Sequence, residues 1–161
     1  MENIVKEQKK TIYIDRILDV PVATVWQAWS EAEGIKKWFG PEGYTTPSAS
    51  VDFRVGGGFF ASMKAPDGKV TWSKGTYKEI IPFKKIVYLD SFADADGNIV
   101  PASYYNMPGD WNLESKVTVE FEEENDKTRM KLQYEDLPAE MADDCVKGWN
   151  SCFDKMERAL K

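Results

Sequence analysis

Two cysteines, Cys145 and Cys152, and a complete lack of histidine bound the chemistry open to this chain. Without histidine there is no Ser-His-Asp or Cys-His triad, no histidine-ligated zinc and no histidine general base. The two cysteines lie in a stretch that reads as helix, where their seven-residue spacing is a rise of ~10.5 Å. That exceeds the ~7 Å Cα separation a disulfide tolerates, so they read as small buried apolar side chains suited to a reducing compartment. Gly56-Gly57-Gly58 lacks the following Lys-Ser/Thr and helix of a phosphate loop and reads as a hairpin turn. Asp52 and Arg54 are two apart on an expected strand and share a face. They read as a surface pair of little energetic weight, with a charged pair at a cavity mouth as the alternative. Asp90 alternates with Tyr88 and Phe92 along one strand face, which makes it a candidate inward carboxylate. Any catalysis would rest on Asp, Glu, Tyr, Lys or Arg. No such group stands out with a partner, so no catalytic residue, metal ligand or cofactor is assigned.

The aromatic residues are the stronger candidates, at 13% of the chain. Trp38, Phe39, Phe53, Phe59, Trp72, Tyr77, Tyr88, Phe92, Tyr104, Trp111, Trp149 and Phe153 are the candidate ligand-binding set. Either they fill the core, or some of them line a pocket that stays partly open. The two readings stand level, because packing density is not visible in a sequence. Gly148, next to Trp149 in a helix interior, costs ~1 kcal/mol relative to alanine. A close approach by sheet or ligand would explain it, as would a simply tolerated glycine.

These residues need elements to hold them. Leu137 to Lys161 reads as one amphipathic helix, with Met141, Cys145, Trp149, Cys152, Phe153, Met156 and Leu160 on its apolar side. Pro138 suits its first turn and Asp136 is the cap candidate. Thr11 to Val20 alternates and reads as the first strand. Pro21 opens a short helix with Val22, Val25, Trp26 and Trp29 on one face, and Ser30 can cap a second, with Glu33 at the capping-box position. Ala49 to Val55, Gly58 to Ala65, Lys69 to Ile81 and Lys85 to Ala93 read as strands. Asn98 to Glu114 is an irregular, aromatic-rich loop. Ser115 to Glu122 and Thr128 to Tyr134 form a hairpin with Val117, Val119, Phe121, Met130, Leu132 and Tyr134 facing in. Antiparallel hairpins with one dry face need a cover, and the last helix is that cover. The expectation is α+β: a curved antiparallel sheet of about seven strands around a long C-terminal helix, with two short helices between strands 1 and 2.

Bulk properties narrow the partners. The chain has 161 residues, the size of one domain able to bury ~70% of its unfolded surface. Its net charge of −6 and pI near 4.8 argue against nucleic acid or an anionic membrane surface. Residues 1 to 10 are polar and read as a flexible lead-in without a signal peptide, ahead of a single domain over 11 to 161. No window could span a bilayer, and the expected compartment is the cytoplasm.

Five stretches, in order, carry a resemblance. They are Pro21-Val22-Ala23-Thr24-Val25-Trp26, Trp38-Phe39-Gly40-Pro41, Asp52-Phe53-Arg54-Val55-Gly56-Gly57, Gly75-Thr76-Tyr77-Lys78-Glu79-Ile80 and Gly148-Trp149. Over residues 11 to 161 the chain resembles the helix-grip superfamily, also called START-like or SRPBCC. Within it the chain looks like the family named for the activator of the heat-shock-protein-90 ATPase. The resemblance implies an apolar cavity between sheet and long helix that binds a small hydrophobic molecule or lipid. Trp38 to Tyr44 and Asn98 to Glu114 would form its mouth. The alternatives are an interaction protein that regulates a chaperone ATPase and, third, a cavity-based enzyme working without histidine. A monomer or a homodimer is expected.

Overall fold

The computed structural model describes residues 8–161. Its elements, in order, are β1 (Lys9–Leu18), α1 (Val22–Ser30), α2 (Ala32–Ile35), β2 (Ala49–Val51), β3 (Gly58–Lys64), β4 (Val70–Ile81), β5 (Lys85–Ala93), β6 (Ile99–Val100), β7 (Ser115–Glu124), β8 (Lys127–Pro138) and α3 (Ala142–Leu160). The strands form one antiparallel sheet in the order β1-β8-β7-β5-β4-β3-β2, with the two-residue β6 added beside β5. The expected architecture is therefore present: a sheet of seven long or short strands plus β6, two short helices after β1, and one long C-terminal helix.

The alternation in β7 and β8 sets this sheet's dry face. Val117, Val119, Phe121, Met130 and Leu132 are all buried, and Val119 pairs with Leu132 and Phe121 with Met130 across the ladder. Cross-strand pairs of this kind are the unit of sheet stabilisation. Phe153 and Met156 of α3 are fully buried in the same cluster, together with Trp29, Trp38 and Phe59. α3 is fastened at its outer edge to β1: the Arg16 guanidinium donates to the Asn150 carbonyl at 3.2 Å and to Asp154 at 2.6 Å. Among the described residues, no helix is long and apolar enough to cross a membrane.

Several boundaries move, each for a local reason. Of the expected lead-in 1 to 10, Lys9 and Lys10 belong to β1, paired with Pro138 and Leu137; the rest, apart from Gln8, lies outside the described residues. The same pairing corrects the start of the last helix. Residues 127 to 138 continue as β8, because β1 is there to accept them, and Asp136 sits at φ 57° inside that strand rather than capping a helix. Pro138 precedes a single 3-10 turn, Ala139–Met141, and α3 begins only at Ala142. Ser30 closes α1 instead of capping α2, whose capping position is Glu31 with no side-chain hydrogen bond. The expected strand to Val55 stops at Val51: Arg54 N–H donates to the Asp52 carbonyl and Gly57 N–H to the Arg54 carbonyl, which curls the chain into a turn. Val55, beyond the end of β2, is 62% exposed.

Candidate functional site

The sheet and α3 do not close on each other along the whole helix. Under the N-terminal half of α3 lies a cavity of about 370 Å³. Its ceiling is one stripe of α3, formed by Cys145, Gly148, Trp149 and Cys152, which a 3.6-residue period brings to one side. A Cβ built on Gly148 would meet nothing within 4 Å. The glycine is therefore not forced by a close neighbour; it leaves open space over the cavity.

The floor comes from alternate residues of the central strands. Tyr88, Asp90 and Phe92 of β5 line the cavity, as their two-residue spacing requires. Ser115 of β7 is paired directly with Asp90, and Tyr134 of β8 stands one strand further on. Met63 of β3, Thr71 and Ser73 of β4 and two connecting segments add the rest of the wall. Phe39, Gly40, Pro41 and Tyr44 come from the stretch after α2, and Tyr105, Met107, Trp111, Asn112 and Leu113 from the loop before β7. These are the two segments expected at the mouth.

The first segment is pinned to α3. Lys155 Nζ donates to the carbonyls of Gly40 and Tyr44 at 3.0 Å each and of Phe39 at 3.4 Å. Glu42 N–H donates to Ser151 Oγ at 2.8 Å, and Arg158 pairs with Glu42 at 2.7 Å. Burial lowers the pKa of Lys155, and three carbonyl acceptors take up its three N–H groups. The second segment is held by Tyr105, whose hydroxyl donates to the Ala93 carbonyl and accepts from Trp72 N–H.

One carboxyl faces this apolar space. Tyr134 O–H donates to Asp90 Oδ2 at 3.2 Å. Among the described residues the Asp90 carboxyl accepts no other hydrogen bond. Burial pushes its pKa up to about 7, against the opposing pull of the Tyr134 bond. Burial, followed by the Asp90 charge, raises the phenols of Tyr88 and Tyr134 well above their usual range. Burial likewise lifts the thiols of Cys145 and Cys152 to about 11. Both are protonated at neutral pH, so neither is an activated nucleophile. Among the described residues no cluster of three or more metal-ligating side chains occurs.

The candidate aromatic set divides. Phe39, Tyr88, Phe92, Trp111 and Trp149 line the cavity. Trp38, Phe59, Tyr77 and Phe153 are buried in solid core. Phe53 packs edge-on against Trp26 and Tyr77, at 5.6 and 4.9 Å between ring centroids. Trp72 stacks on Phe60 at 4.6 Å, on the sheet face opposite to Phe59. Tyr104 is 57% exposed. Asp52 and Arg54 form the expected surface pair, at 2.9 Å and away from the cavity. The aromatic reading did not include Tyr134, Cys145, Cys152 or Gly148. Alternation already turned Tyr134 inward with Met130 and Leu132, and the helical stripe already held both cysteines; nothing in either pattern marks an empty space opposite them.

With this geometry in view, comparison with known proteins is informative. The family described as Activator of Hsp90 ATPase homolog 1-like protein matches residues 19–161. A search of curated proteins returned no match. Among solved structures, a protein of Chromobacterium violaceum is 24% identical, with a TM-score of 0.73 over 93% of this chain and 96% of its own. A protein of Nitrosomonas europaea is 23% identical, with a TM-score of 0.74 over 98% and 96%. An AHSA1 protein of Silicibacter pomeroyi is 21% identical, with a TM-score of 0.72 over 94% and 97%. At these identities the likeness is one of fold. The family match covers nearly the whole chain, and the curved sheet, the paired short helices and the long closing helix agree with it: the chain belongs to the Activator of Hsp90 ATPase homolog 1-like family.

Proposed function

We propose that this protein binds a small hydrophobic molecule in the cavity beneath the N-terminal half of α3. The observation that carries the reading is the cavity itself, about 370 Å³ and walled mostly by aromatic, methionine and cysteine side chains. That volume falls in the range of small-molecule sites, roughly 300–1,000 Å³, where an apolar wall with few polar groups is the common pattern. A well-packed interior holds few voids larger than a water molecule, so a space of this size within the fold calls for an occupant. Gly148 supports the same reading, because a helix interior gains ~1 kcal/mol from alanine and no neighbour forbids it. The two protonated thiols in the wall suit a reducing, cytoplasmic setting.

The test is native mass spectrometry of the protein with libraries of apolar compounds and lipids. Adducts are expected with the natural sequence and lost in Gly148→Phe, whose ring would occupy the cavity. No adduct from any library, or adducts indifferent to Gly148→Phe, would overturn the reading.

The family's description supports a second reading, activation of a chaperone ATPase. Turnover of a purified chaperone ATPase with excess of this protein decides it, and unchanged turnover removes it.

A further inference from the structure

The cavity carries a charge pattern that selects among hydrophobic molecules. Its wall contains one ionisable carboxyl, Asp90, and among the described residues no lysine or arginine lines it. A cation at the rim, Lys155, is committed to the carbonyls of Phe39, Gly40 and Tyr44. Asp90 spends one oxygen on Tyr134 O–H and has no partner for Oδ1. Asp90 is partly exposed and lines the cavity, so a donor on an occupant can reach this oxygen.

Resting on the reading of the cavity as a ligand site, we propose that its ligand is an apolar molecule bearing a protonated amine, with the nitrogen seated against Asp90. The ammonium supplies the donor that Oδ1 lacks and the opposite charge that a carboxylate in an apolar wall needs. Aromatic rings are at hand to help: Tyr134 is bonded to Asp90, and its ring lies 6.3 Å from that of Trp149. The faces of such rings attract cations. A fatty acid would meet the reverse situation. Its carboxylate would have no cation in the wall to pair with and would share the cavity with Asp90, and two carboxylates sharing one site cannot both ionise readily. A neutral alcohol could donate to Oδ1 but would bring no charge. The wall's other titratable groups are thiols and phenols: Tyr88 on β5, Tyr134 on β8, Tyr105 before β7, and Cys145 and Cys152 on α3 all have raised pKa values, and Tyr44 after α2 is the remaining phenol. Ser115 on β7 does not titrate, so Asp90 alone sets the charge seen by the ligand.

Isothermal titration calorimetry of the full chain with decylamine, decanol and decanoic acid tests this at one chain length. At about pH 8 the amine is expected to bind about tenfold more tightly than the alcohol, and the alcohol more tightly than the acid. In Asp90→Asn the amine's lead should collapse to within about threefold, while alcohol binding persists. Tyr134→Phe, which leaves the carboxylate in place, should keep the lead. Amine affinity should rise several-fold from about pH 6 to about pH 8 in the natural sequence, as Asp90 ionises, and stay flat in Asp90→Asn. Acid binding as tight as amine binding, or an amine lead that survives Asp90→Asn, would overturn the inference. Alcohol binding without an amine lead would overturn it too and leave the hydrophobic-ligand reading standing. Failure of all three to bind would overturn both.

Discussion

Trp149 and Phe153 sit one helical turn apart on the same stripe of α3, with ring centroids 5.7 Å from each other, yet they belong to different regions. Phe153 is 0% exposed, enclosed by Trp29 and Trp38 at 6.2 and 6.1 Å. Beside Trp29 and Trp38 lies a void of about 20 Å³, room for no more than one water. Trp149 is half-buried and borders the cavity of about 370 Å³. One amphipathic helix thus closes a solid core with its C-terminal half and roofs a cavity with the other. The contrast shows that an apolar stripe reports where side chains point, not whether anything meets them.

The largest expected effect tests the packed side. Phe153→Ala should cost about 3–5 kcal/mol in a urea melt, the usual price of emptying an aromatic core position; a loss below about 1 kcal/mol would mean that this end is not tightly packed. Asp90 tests the open side through pH. Its folded-state pKa of about 7 stands above the ordinary carboxyl value of 3.8, so the folded chain holds this proton more tightly than the unfolded one. The stability it contributes is fully present below 3.8 and is lost as pH rises through about 7. Asp90→Asn should therefore be more stable than the natural sequence at about pH 8, by roughly 2–4 kcal/mol, with the difference vanishing near pH 4. Parallel denaturation curves at the two pH values check this, and an equal or lower stability at pH 8 would place the carboxyl in a wetter setting.

Trp149→Ala sharpens the comparison directly. Bordering open space, it should lose only roughly 1–2 kcal/mol, well under the loss at Phe153, and should change ligand affinity. Equal losses at the two positions would erase the distinction between the two ends. The smallest effect belongs to Gly148→Ala. A methyl there enters empty space, so helix propensity alone acts and the variant should gain up to about 1 kcal/mol. A loss instead would reveal a neighbour closer than the geometry allows.

Much of the site was legible element by element. The alternation Tyr88, Asp90, Phe92 turned a carboxyl to the same face as two rings, and Met130, Leu132, Tyr134 turned a phenol inward. What no pattern joined was Asp90 to Tyr134, 44 residues apart. That meeting depends on β7 lying between their strands in register, Asp90 opposite Ser115 and Val117 opposite Tyr134. The helix start was misread for a related reason. Leu137 and Pro138 have no strand signal of their own, but β1 extends back to Lys9 and pairs with them.

Residue types and periods alone determined the α+β class, the order of the main elements, the inward faces of β7 and β8, the lack of histidine chemistry and the separation of the two cysteines, because each depends on residue type or on backbone geometry repeated over a few residues. Only the tertiary structure decided which aromatics fill core and which border a cavity, that Asp90 shares its environment with Tyr134 rather than a cation, and that Gly148 opens onto space. These are properties of volume and of enclosure by distant segments, and they exist only once the sheet, two connecting segments and α3 have closed around the same space.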